Sequence, residues 1–292
     1  MKTGVIGLGA MGAHMAANLH AHGHLAAVWN RSPGRAEEFA AATGVTASAS
    51  AQALAELCGL VITCVSRDED LLEVIGQIAC HLPRDAIVAD TSTVSPDSAR
   101  RAAQILQQQG AHFLDCPVSG GTEGARQGSL AMMVGGEGKI LERARPALST
   151  IAGNIVRVGP CGSGQACKAV NQLMIAGIYD AVAEALAFGE SMDLDMERVI
   201  QVISRGAAAN WVLAHRGESM LAMSFPLGFK VALHHKDLEI CRRAAASTDG
   251  AALPTADRVL SQYEQLMQEG HGDEDVSALF RLKHRAHAAG KA

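Results

Sequence analysis

Aromatic residues are scarce in this chain of 292, at 3% of the total. A core must therefore be filled by Ala, Leu, Val, Ile and Met, and with 48% hydrophobic residues there is enough apolar material for it. Positive charge is not in excess. The formal net charge is −5, which argues against a nucleic-acid-binding surface. No unbroken apolar run reaches the roughly 18 residues of a membrane span, and the N-terminus opens on a strand pattern rather than a signal segment. No C-x-x-C pair occurs among the seven cysteines, and Cys58, Cys64 and Cys80 fall inside apolar runs. That usage predicts reduced, buried thiols in a cytoplasmic protein, not a disulfide framework. Internal repeats and low-complexity segments are also absent.

Short apolar runs alternate with helical patterns through the first half. Lys2–Ile6 reads as a buried strand. Gly7-Leu8-Gly9-Ala10-Met11-Gly12 follows, and then a helical pattern to about His22. A G-x-G-x-x-G stretch between strand and helix is the context for dinucleotide binding. Gly7 permits the tight turn, Gly9 lets a pyrophosphate approach the backbone, and Gly12 lets the helix pack close. The second strand, Leu25–Trp29, ends at Asn30-Arg31-Ser32. An NAD site usually carries an acidic residue here for the ribose hydroxyl. This chain has a neutral Asn30 and then Arg31, whose planar fork suits a 2′-phosphate. NADP is the expected cofactor, with NAD as the other possibility.

The alternation continues. Helices are expected at Ala49–Leu57, Asp68–His81 and Gly138–Thr150, and strands at Leu60–Val65, Ala86–Asp90, His112–Asp115, Leu130–Val134 and Asn154–Val158. This predicts a parallel doubly wound sheet. Ligands in such sheets sit beyond the carboxyl ends of the strands. Val65-Ser66 and Thr91–Thr93 lie there, where ordinary turn chemistry explains them equally well. In Asp115-Cys116-Pro117-Val118-Ser119-Gly120-Gly121, the Ser119 hydroxyl and the N–H groups of Gly120 and Gly121 can hold a carboxylate. A loop that needs positive φ would show the same glycines.

Slightly past the middle lies Gly162-Ser163-Gly164-Gln165-Ala166-Cys167-Lys168-Ala169-Val170-Asn171-Gln172. It opens a proline-free helix to about Met192 that reads as largely buried. Lys168 is the sole cation of its first turns, and Asn171 and Gln172 share its face. Burial would lower the pKa of such a lysine towards a value useful in proton transfer. Later helices are expected at Asp195–Ser204, Asn210–Met223, Gly228–Ala246 and Ala252–Gln268. His234 and His235 diverge on a helix and are not a metal pair, and His20, His22 and His24 straddle a helix end. No metal is expected.

On these stretches, together with Asp90-Thr91-Ser92-Thr93 and Gly228-Phe229 through Lys236-Asp237-Leu238, the chain resembles the β-hydroxyacid dehydrogenases over nearly its whole length. The resemblance implies an α/β Rossmann-type nucleotide-binding domain (1–161). It is followed by an all-α domain (162–292) like the C-terminal domain of 6-phosphogluconate dehydrogenase. It also implies that Lys168 exchanges the hydroxyl proton as hydride moves to or from nicotinamide. Ser119, Gly120 and Gly121 would bind substrate carboxylate, and Thr93, Phe229 and Lys236 would reach the cofactor, with Asp237 beside the substrate. Asn171 and Gln172 would contact substrate too; this chain departs from the family at Gln172, where a second asparagine is common, and at Val65-Ser66, where Leu-Pro is common. Trp211 follows Asn210 where relatives place substrate-pocket residues.

The expected activity is NADP-linked reduction of a small semialdehyde or 2-oxo acid. The alternative is NAD-linked oxidation of a 3-hydroxyisobutyrate-like acid. Lys168 argues against an imine reductase and against a catalytically silent scaffold, since both replace it. The apolar helical half predicts a homodimer or homotetramer.

Overall fold

The computed structural model describes residues 1–247 and 251–290. Two compact units emerge, Met1–Lys168 and Ala169–Ala292.

The first unit begins β1 (Thr3–Ile6), α1 (Gly12–Ala21), β2 (Leu25–Trp29), α2 (Pro33–Thr43), β3 (Thr46–Ala47), α3 (Ala51–Leu57), β4 (Leu60–Thr63) and α4 (Asp68–Ile78). It continues β5 (Ile87–Asp90), α5 (Pro96–Gln108), β6 (His112–Asp115), β7 (Val118–Ser119), α6 (Gly121–Gln127), β8 (Leu130–Gly135), α7 (Gly138–Leu148) and β9 (Ala152–Gly159). The strands form one sheet in the order β3-β2-β1-β4-β5-β6-β8-β7, with β9 beside β8. From β3 to β6 every pairing is parallel. The expectation of an all-parallel sheet fails at β8, which runs antiparallel to β6 and β7. Only residues 120–129, which hold the short α6, separate β7 from β8, too little chain for the crossover a parallel neighbour needs. The longer β8–α7–β9 connection restores parallel pairing.

Strand residues alternate between the two faces, as period-two patterning requires. Val5, Val28, Ile62, Ala89 and Leu114 pack with α1 and α7. Ile6, Ala27, Val61, Val88 and Phe113 pack with α3, α4 and α5. Strand order reverses between β1 and β4, so the glycine-rich turn after β1 lies at the switch point where such sheets bind ligands.

α8 (Ser163–Ser191) starts in the first unit and continues into the second. The second unit adds α9 (Met196–Ile203), α10 (Trp211–Leu221), α11 (Val231–Ala246), α12 (Pro254–Gln268) and α13 (Leu279–Gly290). Its core joins Ala176, Tyr179, Ala183 and Leu186 of α8 to Val259, Tyr263 and Leu266 of α12 and to Phe280. Two of the chain's few aromatics, Tyr263 and Phe280, are its largest fully buried side chains.

Burial corrects two expectations. α8 is not apolar on the inside alone: Val170, Met174 and Phe188 are each more than half exposed. By length and composition α8 also meets the measure of a membrane span, and half of that stretch is buried inside the protein. Its alanines, leucines, valines and isoleucines raise the average, while Asn171, Gln172 and Asp180 interrupt the apolar sequence. None of the seven cysteines forms a disulfide, but Cys80 is exposed. It sits in the 3₁₀ turn Ala79–His81 that follows α4, in which Ala79 takes the buried position. Burial pushes the Cys58 and Cys64 thiols up to about 11.

Candidate active site

The glycine-rich turn is closed at its ends and open in the middle. Gly7 has φ +97°, and a side chain there would strike the carbonyl of Cys64 at the end of β4. A side chain at Gly12 would strike the carbonyl of Gly7, so α1 rests directly on the turn. Nothing lies within 4 Å of a Cβ built on Gly9. That leaves bare backbone open to a ligand, and the residues present fit a dinucleotide pyrophosphate. Leu8 is buried, Met11 packs on the core, and Ala10 faces solvent.

β2 holds this turn in shape. The Leu8 N–H donates to Asn30 Oδ1 at 2.8 Å, and Asn30 Nδ2 donates to the Ser32 carbonyl at 2.9 Å. Asn30 thus has a structural task at the position where a ribose contact is expected. Ser32 precedes Pro33 at the start of α2. Arg31 Nη1 pairs with Asp70 Oδ1 at 2.7 Å, with its own side chain 74% exposed. The Asp70 side chain is 20% exposed, so solvent screens the pair from the Arg31 side.

The strand-end turns are held by two buried aspartates that face each other across β5 and β6. Asp90 Oδ1 accepts from Thr63 Oγ1 at 2.7 Å and Ser92 Oγ at 2.6 Å. Asp90 Oδ2 is buried with no hydrogen bond among the described residues. Burial pushes the Asp90 carboxyl up to about 6, against the pull of those hydroxyls. The Val65 N–H donates to Ser92 Oγ at 2.8 Å. Val65-Ser66 and Thr93 therefore follow strands whose ends are laced together through Asp90 and Ser92.

Asp115 does a different job. Its Oδ1 accepts from the Gly162 N–H at 2.9 Å and its Oδ2 from the Gln165 N–H at 3.0 Å, so it caps the first turn of α8. Burial raises its carboxyl above the usual range, and these two N–H groups oppose the rise. A side chain at Gly164 would meet the carbonyls of Asp115 and Met133 at 2.6 Å, so glycine is required where helix and sheet meet. Gln165 then clamps the strand-end turn: its Nε2 donates to the Ser92 carbonyl at 2.8 Å, and its Oε1 accepts from Val94 N–H at 3.2 Å.

Lys168 stands one turn further along α8. It is 6% exposed, and its Nζ donates to the Val118 carbonyl at 2.9 Å. Val118 immediately precedes Ser119-Gly120-Gly121. The two glycines have φ of +130° and +61°, so the backbone does require them there. The ammonium and the Ser119 loop are thus brought together within the first unit.

In the second unit a chain of polar side chains runs through a buried centre, Gln172, Asp237 and His234, with Asn171 and Lys236 half-buried at its edge. Asn171 Nδ2 donates to Gln172 Oε1 at 2.7 Å, and Gln172 Nε2 donates to Asp237 Oδ2 at 2.7 Å. Lys236 Nζ lies 2.9 Å from Asp237 Oδ1. Behind them, His234 bridges the Gln172 carbonyl and the Tyr263 hydroxyl, at 3.2 and 2.9 Å. Phe229 packs on the His234 ring at 5.3 Å, and Asp275 Oδ2 accepts from the Gly228 and Phe229 N–H groups. Trp211 stands apart from this network. It is 57% exposed and stacks on His215 of its own helix, with Arg216 at 5.6 Å from its ring. His235, Glu239 and Glu264 also bring ligand-type atoms within 4.8 Å of one another, but Arg242 already pairs with Glu239.

Sequence reading missed the roles of Asp90, Asp115, Gln165, His234 and Asp275. Asp115 opened a recognised motif and Gln165 lay three residues before Lys168, yet their partners are far away in sequence.

Matches to known proteins agree with this architecture. Residues 2–159 match the NAD binding domain of 6-phosphogluconate dehydrogenase, and residues 162–283 match the NAD-binding domain of NADP-dependent 3-hydroxyisobutyrate dehydrogenase. The chain is 35% identical to 2-hydroxy-3-oxopropionate reductase of Escherichia coli over 96% of each chain. It is 32% identical to the NAD-dependent L-serine dehydrogenase of Pseudomonas aeruginosa, covering 95% of this chain and 96% of that one. A solved 3-hydroxyisobutyrate dehydrogenase of Mycobacterium tuberculosis, with L-serine, superposes with a TM-score of 0.87 at 32% identity, covering 96% of this chain and 98% of that one. A Rossmann-type sheet with an all-helical partner unit defines a nicotinamide-dependent oxidoreductase of CH–OH groups. The chain belongs to the β-hydroxyacid dehydrogenase family.

Proposed function

We propose that the protein is an NADP-linked reductase of a small semialdehyde or 2-oxo acid, with Lys168 as its proton-transfer residue. The observation that carries this reading is the buried Lys168 ammonium, held on the Val118 carbonyl beside the Ser119-Gly120-Gly121 loop. The loop offers a hydroxyl and backbone N–H groups to a substrate carboxylate. Gly7 through Gly12, Asn30, Arg31, Ser32, Val65, Ser66 and Thr93 would hold the cofactor, and the family resemblance assigns Phe229 and Lys236 to it as well. When bound, the nicotinamide supplies the hydride. Lys168 as ammonium gives a proton to the oxygen of the carbonyl being reduced; in the reverse direction the neutral amine takes it back.

NADP is favoured by the missing carboxylate after β2 and by the solvent-screened Arg31–Asp70 pair. Asp70 itself favours the second reading, NAD-linked oxidation of a 3-hydroxyisobutyrate-like acid, because it already neutralises Arg31. The test is a panel of C2–C4 semialdehydes and hydroxy acids with each cofactor, followed by nicotinamide absorbance. NADPH is expected to exceed NADH in kcat/KM by roughly 10- to 100-fold, the worth of one charge-assisted contact. Asn30→Asp with Arg31→Ala is expected to reverse that order. A wild-type preference for NADH would remove the NADP reading and leave the second.

The exposed apolar residues of α8 support assembly with a second copy of the chain. Met174 lines a groove of about 570 Å³ together with Leu173, Gly177, Ile178 and the 252–256 segment. A homodimer or homotetramer is expected by light scattering at micromolar concentration. Met174→Glu with Phe188→Glu is expected to shift it towards monomer, and a monomeric wild type would end this proposal. Seven cysteines outside any disulfide support a reducing, cytoplasmic setting.

A further inference from the structure

Gln172 stands at a position where a substrate contact was expected, yet both ends of its amide are already engaged. Its Nε2 meets Asp237 and its Oε1 meets Asn171, with the side chain 1% exposed. The direction of these bonds is forced. Asp237 is held by the Lys236 ammonium at 2.9 Å, and an ionised carboxylate only accepts. The Gln172 NH₂ must therefore face Asp237, and its carbonyl oxygen must face the other way. That oxygen only accepts, so Asn171 must turn its own NH₂ towards it. The Asn171 oxygen is then left as an acceptor, and it receives no hydrogen bond among the described residues.

We infer that Gln172 is a positioning residue: the Lys236–Asp237 pair sets the polarity of its amide, and Gln172 in turn presents Asn171 with its oxygen outward. This rests on the proposed function above, in which Asn171 shares a helix face with Lys168, three residues away. An outward oxygen is the partner that a substrate hydroxyl or an ammonium needs; an outward NH₂ would repel the ammonium. The substitution of glutamine for the asparagine common in relatives fits the task. The added methylene extends the amide by about 1.5 Å, and the side chain spans from Asn171 to Asp237 on another helix.

The distinguishing variant is Gln172→Glu. A protonated carboxylic acid has one O–H donor for Asp237 and one C=O acceptor for Asn171, the same pattern as the amide. The ionised form has no donor and faces a second carboxylate. The charged and titratable groups around position 172 are Asp237, Lys236 and His234 on α11, Tyr263 on α12 behind His234, and Lys168 one turn back on α8. His234, Lys236, Tyr263 and Lys168 are common to both proteins, so comparing variant and wild type as a ratio at each pH leaves the pH dependence of the carboxyl introduced at position 172 together with Asp237, which share protons as a pair.

The experiment measures kcat and the melting temperature of wild type, Gln172→Glu and Gln172→Met between pH 5.5 and 8.5, with NADPH affinity by fluorescence. For Gln172→Glu the kcat ratio to wild type is expected to rise roughly tenfold as pH falls, the scale of one re-formed hydrogen bond to a charged group. The gap in melting temperature should close over the same range. Gln172→Met should lose about tenfold in kcat at every pH while NADPH affinity stays within about twofold. A melting-temperature gap for Gln172→Glu that is independent of pH overturns the assigned polarity, whether or not any substrate is turned over. A closing gap with an unchanged kcat ratio overturns the link to Asn171. Absence of turnover by the wild type on the whole panel counts against the proposed function instead, and the melting data still decide the polarity.

Discussion

Lys168→Met is expected to lower kcat by about 10²–10⁴-fold, the usual contribution of a positioned general acid. NADPH affinity should stay close to that of the wild type. The reason is geometric. The ammonium is buried and held on the Val118 carbonyl, one residue from the loop proposed to grip the substrate carboxylate. The nucleotide turn after β1 is built separately, from Gly7, Gly12 and the Leu8–Asn30 bond. Methionine keeps the length and apolar stem of lysine, so packing is largely preserved and the lost group is the proton carrier. A loss that appears mainly in KM would instead assign Lys168 to substrate binding, because removing uniform binding leaves kcat unchanged. A variant that retains more than about a tenth of kcat would show that the lysine is structural, since acid–base catalysis at its weakest is worth about 10²-fold.

The second large effect is expected at Asp115, in stability. Two terms oppose each other there. Burial makes the ionised carboxylate costly, as its raised pKa records. Against this, it satisfies the N–H groups of Gly162 and Gln165 at the start of α8. Asp115→Ala removes the charge but leaves two buried donors without partners, at about 1–3 kcal/mol each. The orphaned donors should win, with a net loss of about 3 kcal/mol and a fall in melting temperature of roughly 10 °C. Asp115→Asn removes the charge while keeping one acceptor, so it should lose less than half as much. The comparison by calorimetry is decisive: if Asn is as damaging as Ala, the charge itself matters and the capping account is wrong.

The sequence made the local features readable and left the distant ones dark. β2 and β6 fall on their expected residues because each is a short apolar run closed by a turn. The helix α2 went unseen because it buries only Ala36 and so has no apolar stripe. The helix α6 hid in a glycine-rich stretch that read as loop. In the site, the glycine turn and Lys168 announce themselves within a dozen residues. Asp115 meets Gly162 across 47 positions, and Gln172 meets Asp237 across 65. No periodicity connects such pairs; they exist only once the sheet and the helices have formed. The exposed face of α8 was misread for a related reason: apolar spacing looks the same whether a face is covered or left in water.

The continuity of α8 has a consequence for how this chain can be recombined. The compact units divide inside that helix, between Lys168 and Ala169, while the helix itself begins at Ser163. A crossover between homologous genes at the compact boundary would join the lysine-bearing turn of one parent to the Asn171-Gln172 turn of another. Such a splice would separate residues that must agree in register and polarity. A crossover at Pro160-Cys161-Gly162 would fall in a turn and transfer the helix whole, but it would part Asp115 from its capping partners. Inheritance by halves is therefore costly on either side of Lys168, and this segment should travel as one block with both of its neighbours.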